Sequence, residues 1–352
     1  MTDHRRIREQ HRTVGQQEQM STDFLAENLI PPQHAAAMMR LAPANPFRTR
    51  SYAEFMGAIG HKPWLLGTER GGELIAGCYG FLSSGYLNRS LRIDSPPDVP
   101  CDDVFWDGLM RFCSLHGITN LQLDRSASPG ARIPPLPGEV ERREIFEYVL
   151  DLGDAEWEQR LARKHRQNIK RALQAGATLR RAAGADACRE HVRLMATSME
   201  RRRRRGESII GDVEGKLPEW ILFIETGAAE LFQAVAGGET VSSVVVMRAA
   251  EGAYYDSAGN SPEGMKCGAS HFLIYSIARV LREESIRTFN LGGPEPNPGL
   301  GLFKSRFGAT PVSLESATFY FGSTLRRKLT IAARSLRQSR SALLRWIGAG
   351  GA

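Results

Sequence analysis

The stretch that decides the reading is 289–309, FNLGGPEPNPGLGLFKSRFGA. An apolar segment ending at Leu291 runs into glycine and proline, then into Phe303-Lys304-Ser305-Arg306-Phe307-Gly308. Glycine has no side chain to hold a ligand away from the backbone, and proline limits the freedom of the loop. The pattern predicts a rigid loop over Gly292–Gly301 that brings main chain, and then the amine of Lys304, up to a bound group. The competing reading is a β-hairpin loop with a lysine on the surface.

Upstream, the segment IRTFNL reads as a strand behind the helical pattern ASHFLIYSIARVLREES. The same arrangement occurs earlier, where ITNLQL follows DDVFWDGLMRFCSLHG, with Asp102 as N-cap and Gly117 as stop. Strand-like runs bounded by glycine turns precede both: PWLLGTE, ELIAGCYGFLSS and LNRSLRI in the first case, AELFQAVAGG and ETVSSVVVMRAAEGAYYDSAGN in the second. SYAEFMGAIG, DACREHVRLMATSMERRRRR and LPEWILFIE read as helices. DAEWEQRLARKHRQNIKRALQAG is expected to be one helix from an Asp154 cap to a Gly176 stop, with Trp157, Leu161, Ile169, Ala172 and Leu173 as its apolar stripe. The paired layout predicts an internal repeat. The fold class expected is α+β: two domains in tandem, each a mixed, largely antiparallel sheet flanked by helices. The expected boundaries are a flexible leader over 1–34, a first domain over 35–148, a second over 149–323 and a basic amphipathic helix over 324–352.

The 352 residues carry a net charge of +7. The seven cations between Thr324 and Ala352 face no acid, so the body is formally neutral. That argues against a broad nucleic-acid surface. The polar N-terminus has no apolar core of a signal peptide, and no run is long enough to span a membrane. Five widely spaced cysteines without a C-x-x-C suggest reduced thiols in a cytoplasm. No metal-ligand spacing is present, and no metal is expected.

KHRQNIKRALQAG, YYDSAGN and FNLGGPEPNPGLGLFKSRFGA together resemble the second domain of the Fem-type branch of the GNAT acyltransferases, which includes the peptidoglycan aminoacyltransferases. NPFRTRSYAEFMGAIG is similar to the entry helix of that family's first domain. The resemblance implies two GNAT-like domains, with a catalytic groove between them or in the second. It implies an acyltransferase, of N-acetyltransferase or aminoacyltransferase type, acting on an amine or hydroxyl of a cell-envelope or polysaccharide precursor. Acyl-CoA or aminoacyl-tRNA would be the co-substrate, with no permanently bound cofactor. The acceptor would be a small or lipid-linked molecule.

The resemblance also assigns residues. Lys304 would present its charge to a developing oxyanion or donor phosphate, with Phe303 as the aromatic before it. Asn290, Gly292, Gly293 and Arg306 would line the same loop. Arg166 and Lys164 would grip a phosphate, although a merely solvated basic face explains them equally well. Arg201, Arg204 or Arg205 in SMERRRRRGES matches an arginine linked with acceptor phosphate, and solubility is the plainer account. The donor loop of classical GNAT enzymes, Q/R-x-x-G-x-G/A, corresponds to GMKCGASHF, where Lys266 and Gly268 are partial substitutes and Met265 departs from the pattern. For a general base Asp256 is the first choice, ahead of Glu295 and His271; His271 reads better as a core residue. Asn168 is expected to bond local backbone.

The tail places Leu325, Leu329, Ala332, Leu336, Leu343 and Ile347 on one stripe with cations elsewhere. That pattern suits either an anionic membrane surface or a helix docked on the body. The expected location is the cytoplasm, at the inner face of the membrane if the tail binds lipid. Two other function classes fit the sequence: a catalytically degenerate GNAT-fold binding protein and a tRNA-binding protein.

Overall fold

A computed structural model describes residues 21–28, 31–85, 88–130, 132–207, 213–293 and 298–323. The expected tail helix, the candidate Glu295 and most of the leader lie outside them.

Among the described residues, one 12-stranded sheet spans both halves. The first half runs β1 (Thr22–Glu27), α1 (Pro32–Leu41), α2 (Arg50–Ala58), β2 (Lys62–Arg70), β3 (Glu73–Ser84), β4 (Arg89–Ile93), α3 (Val104–Leu115) and β5 (Asn120–Asp124). After β6 (Glu139–Asp151) and α4 (Arg163–Gln174), the second half repeats the plan. It runs β7 (Thr178–Ala182), α5 (Gly184–Arg204), α6 (Leu217–Glu225), β8 (Ala229–Ala236), β9 (Glu239–Arg248), β10 (Gly252–Asn260), α7 (Pro262–Cys267), α8 (Ala269–Glu283) and β11 (Thr288–Asn290). The chain closes with α9 (Pro298–Ser305) and β12 (Thr310–Tyr320).

The spatial order is β1-β2-β3-β4-β5-β12-β6-β11-β10-β9-β8-β7. Read from either edge, it gives the same polarities: β4 and β5 are parallel, as are β10 and β11, while the outer pairs are antiparallel. The inner strands are exchanged. β6 follows the first half in sequence yet pairs with β11, and β12 follows the second half yet pairs with β5. β6 and β12 then pair with each other from Thr310↔Val149 to Phe319↔Glu139. The expected tandem α+β architecture is present, and its repeat is more complete than the sequence pattern suggests. The expected boundary at 148/149 falls inside β6.

Side-chain alternation assigns the layers. On one face α3 covers Leu121, Leu123, Ala317 and Phe319 of the first half, and α4 and α8 cover Leu150, Val244, Val246 and Phe289 of the second. On the other face α1, α2 and α6 share a single core with Leu65, Tyr79, Val245 and Met247, so the halves are fused by burial as well as by strand pairing. Phe55 of α2 stacks on Phe223 of α6 at 4.3 Å. Pro43 accepts from the Glu251 N–H at 2.7 Å, anchoring the loop before α2 to the start of β10.

Four expectations are corrected. Residues 22–27 are not part of a flexible leader: Leu25 and Ala26 are buried in β1, and Phe24 lies directly against Gly108 of α3. The helix predicted from Asp154 is broken, because Leu161 and Ala162 are extended and the Ala162 N–H bonds the Arg306 carbonyl at 2.9 Å. Leu173 therefore leaves the apolar stripe and is exposed. Asp103, not Asp102, caps α3 by accepting from the Phe105 N–H. Finally, Lys304 belongs to the last turn of α9, neither to a loop nor to a hairpin.

The contact between halves leaves no room at Gly252, where a Cβ would lie 2.0 Å from the Ala44 carbonyl oxygen. Gly252→Ala should cost about 1–3 kcal/mol by overpacking. A urea unfolding curve checks this, with Gly238→Ala, at an open turn, as the comparison for a turn glycine.

Candidate active site

β10 is nine residues long, but β11 accompanies it only from Gly252 to Tyr254. Past Asn290 the chain turns to β6, where Leu291 donates to the Tyr148 carbonyl at 2.7 Å and Tyr148 to that of Gly292 at 3.2 Å. The two strands thus part and leave a wedge in the sheet. In the first half, by contrast, β4 keeps its parallel partner over four of its five residues. The wedge belongs to the second half alone.

A β-bulge falls where the wedge opens: the β9 register skips between Tyr255 and Ser257, and Asp256 is the extra residue. A bulge re-aims a side chain out of the ladder. The Asp256 carboxyl is reachable by solvent, yet protein surrounds it closely enough that desolvation lifts it to about 6, with the Ser257 hydroxyl and Arg92 of β4 opposing. The parting of β10 from β11 beside the bulge makes a cleft next to this carboxyl. Arg92 brings the first half to that cleft, and so does Asp94, which accepts from the Tyr52 hydroxyl at 2.8 Å.

Beneath the bulge, buried His191 of α5 bridges Ser243 of β9 at 2.8 Å and Ser257 at 3.1 Å. Burial alone pushes this histidine down to about 4, so it is neutral. It fixes the strand segment that carries Asp256.

The other wall of the wedge is the Asn290–Gly293 turn. Gly292 has φ 72° and approaches Tyr254 and Tyr255 so closely that a Cβ would be 3.3 Å from the Tyr255 carbonyl oxygen. Lys304 is 5% exposed, and its amine donates to the carbonyls of Gly292 at 3.0 Å and Gly293 at 2.8 Å. The charge lies inside the fold beside the wedge. Asn290 accepts from the Gly292 N–H at 2.8 Å and donates to Glu147 at 2.6 Å. Buried Glu147 also accepts from the Tyr254 hydroxyl and the Ala127 N–H, both at 3.0 Å. Burial raises its carboxyl, while these donors and the Lys304 charge pull against that shift.

Phe303 joins a second cluster with His165, His271 and Phe307. The Phe303 carbonyl accepts from His165 Nε2 at 3.0 Å, and burial holds the imidazole below its usual range. His271, expected as a core residue, is held down to about 4. Asn168 does not bond local backbone: its amide donates to His271 Nε2 at 3.0 Å, and its oxygen accepts from Arg171. Arg171 also donates to the Lys266 carbonyl at 3.2 Å. Gly268 has φ 84° and presses on the Asn168 carbonyl, where a Cβ would be at 2.6 Å. The donor-type loop is therefore buttressed by α4.

The structure brings Lys304, Asn290, Gly292, Gly293 and Asp256 to one wedge, and Phe303 and Gly268 to the layer behind it. Lys164, Arg166, Lys266 and Arg306 are exposed around that layer. Of the arginine run, Arg204 pairs with Glu200 at 3.0 Å and Arg205 with Glu207 at 2.8 Å. Arg201 is turned inward near Ser198, with Nε and Nη1 buried and unbonded. Sequence reasoning missed Glu147, Tyr254, His191 and Arg92. A lone acid inside the apolar strand IFEYVL was the one available signal.

Residues 159–299 match the family model described as an acetyltransferase (GNAT) domain. No curated protein matches the sequence. The solved structure of FemX is similar with a TM-score of 0.63 at 14% identity, covering 80% of this chain and 94% of that one. A tandem GNAT protein from the clavulanic acid biosynthesis pathway gives 0.52 at 13%, covering 86% and 100%. L-PGS from Bacillus licheniformis gives 0.52 at 14%, covering 87% and 96%. The domain match bears out the GNAT resemblance over residues 159–299, and the solved structures, FemX among them, share the tandem fold. Among the described residues no helix is long and apolar enough to cross a membrane.

His191 gives the site an acid limit. Its folded pKa of about 4 lies below the ordinary 6.5, so the stability it contributes is complete above 6.5 and is lost as the pH falls toward 4. The loss should reach about 3 kcal/mol at pH 4. Unfolding free energies at stepped pH should fall over this range, and His191→Gln should flatten the slope.

Proposed function

We propose that this protein is an acyltransferase that moves an activated acyl group onto an amine or hydroxyl of a cell-envelope or polysaccharide precursor, with the reacting carbonyl in the wedge between β10 and β11. The observation that carries this reading is Asp256: a bulge aims it into the opening, and its carboxyl is tuned to about 6. The GNAT domain match and the tandem fold support it. At neutral pH Asp256 is ionised and accepts the proton of the attacking amine or hydroxyl. The new bond to the acyl carbon forms as that proton leaves. The tetrahedral oxyanion collapses, the bond to the donor breaks, and the donor's sulfur or oxygen takes a proton. Lys304 fixes the Gly292–Gly293 turn and places a positive charge beside the oxyanion in a water-poor site, where such a charge is most effective. Arg201 is the arginine of its run suited to an acceptor phosphate. The donor is acyl-CoA or aminoacyl-tRNA; the Lys266–Gly268 loop and the exposed cations of α4 would receive its phosphates.

One observation favours the second reading, a GNAT-fold binding protein without turnover: the Lys304 amine already serves two backbone carbonyls. The two readings separate by experiment. Incubation with labelled acetyl-CoA, long-chain acyl-CoA and charged tRNA, with precursor acceptors, should yield an acylated product. Asp256→Asn should lower turnover about 10²–10⁴-fold. For the wild type kcat/KM should rise with pH through about 6, because the base must be ionised. Lys304→Met should lower turnover about 100-fold while thermal melting shows a folded protein. Ligand binding without product in the wild type would favour the binding protein.

A further inference from the structure

A cavity of about 440 Å³ opens over the middle of the sheet, away from the wedge. Its floor is the β6–β12 pair, where Arg142, Glu144 and Phe146 share one face with Ser313, Glu315 and Ala317. Glu147 points to the opposite face, so the cavity and the Glu147 network are separated by the sheet. The helices leave this place open, because α3 covers one half and α4 and α8 cover the other.

Four guanidinium groups line it (Arg125, Arg132, Arg142 and Arg143) against two carboxylates, Glu144 and Glu315. Both carboxylates already have partners. Glu144 accepts from the Ser313 hydroxyl, and Glu315 accepts from the Ile133 N–H at 2.9 Å with Arg142 at 3.5 Å. Arg142 is occupied as well, by Glu139 at 2.8 Å and by the carbonyls of Ile133 and Pro134. Arg125 differs. It is 4% exposed, its Nη2 is buried without a hydrogen bond, and the half-exposed Asp98 is 3.6 Å away, beyond bonding range. A buried guanidinium donor left unbonded is costly, and an anion with several acceptor oxygens would relieve it.

We propose that this cavity binds a phosphate-bearing small ligand, with Arg125 as its buried anchor and the exposed Arg132 closing on it from the rim. A phosphate monoester suits the site better than a carboxylate, because it offers more acceptor oxygens to the guanidinium donors. Guanidinium groups present paired donors that match phosphate oxygens. The volume exceeds that of the phosphate group alone and admits the body of a small organic phosphate. Desolvation also lowers the Arg125 pKa, with the charges of Asp98 and Glu315 opposing. The site is distinct from the wedge: Glu144 is four residues along β6 from Tyr148, roughly 13 Å at ~3.3 Å per residue. It stands whether or not the acyltransfer reading does.

Calorimetric titration of the full chain with glycerol 3-phosphate and with pyrophosphate tests it. Flotation with phosphatidylcholine vesicles, with and without phosphatidic acid, is the second arm. Saturable binding of the soluble esters is expected. It should weaken about tenfold or more in Arg125→Gln, weaken less in Arg132→Gln, tighten in Glu144→Gln and stay unchanged in Arg50→Gln, an exposed α2 cation paired with Glu54. If Arg125→Gln does not fold, the opposite shifts of Arg132→Gln and Glu144→Gln decide. Flotation that needs phosphatidic acid and follows the same variants would identify the source as a lipid headgroup; soluble binding without flotation would identify a free metabolite. No binding in either arm, or binding that only Arg166→Gln removes, overturns the proposal.

Discussion

The constraint on which the molecule depends is the pairing of β6 with β12. Each strand completes the half that its own segment does not belong to, and their shared ladder turns two sheets into one. An exchange of this kind binds the halves through main-chain hydrogen bonds, which cannot be lost one side chain at a time. The common core of α1, α2 and α6 adds apolar burial to the same junction. A cleft between the halves is therefore held at fixed width, and groups from both can be placed against one another: Arg92 and Asp94 from the first half, Asp256 and Tyr254 from the second.

That rigidity makes the buried polar network tolerable. Glu147 lies on β6 itself, and each of its donors comes from a different segment: Ala127 after β5, Tyr254 in β10, Asn290 in β11. A buried carboxylate is destabilising unless its lone pairs are bonded with good geometry. Here the donors are delivered by strands whose register is already fixed. The network then positions the turn that Lys304 holds from the other side, so acid and amine define the wedge wall together without touching in a simple ion pair. Truncating Lys304 leaves the Gly292 and Gly293 carbonyls without its amine, and loss of activity at Lys304 must therefore be judged beside a melting curve.

Much of this was legible in the sequence. The strand and helix runs before DDVFWDGLMRFCSLHG and ASHFLIYSIARVLREES gave the repeat, because glycine turns and period-two alternation are local signals. The glycine-proline stretch pointed to the Asn290–Gly293 turn that borders the wedge. What failed did so through contacts distant in sequence. Thr22–Glu27 is polar at its edges and adjoins a charged leader, and only pairing with β2 and burial of Phe24 on α3 make it a strand. The break at Ala162 comes from a bond to Arg306, which no helical period can reveal. Phe303-Lys304-Ser305 became a helix although glycine and proline crowd its first turn. Proline is compatible with the start of a helix, which is where Pro298 stands.

Charge shows the limit of reading composition most clearly. Setting the tail aside, the body is formally neutral, which argues against a broad nucleic-acid surface. Neutrality of the sum conceals an uneven distribution. Along α5 cations and acids are matched at short range: Arg189 with Asp186, Arg193 with Glu190, Arg202 with Glu207 and Arg204 with Glu200. The run of five arginines is thereby largely neutralised, and only Arg201 turns in. α4, by contrast, holds Arg163, Lys164, Arg166, Lys170 and Arg171 with no acid in its own sequence, and α9 contributes Lys304 without one. The field of a protein follows from where the surplus lies rather than from its total. The surplus on this chain lies along the helix beside the donor-type loop, so a phosphate-bearing molecule meets a local positive potential there on a body whose charges otherwise cancel.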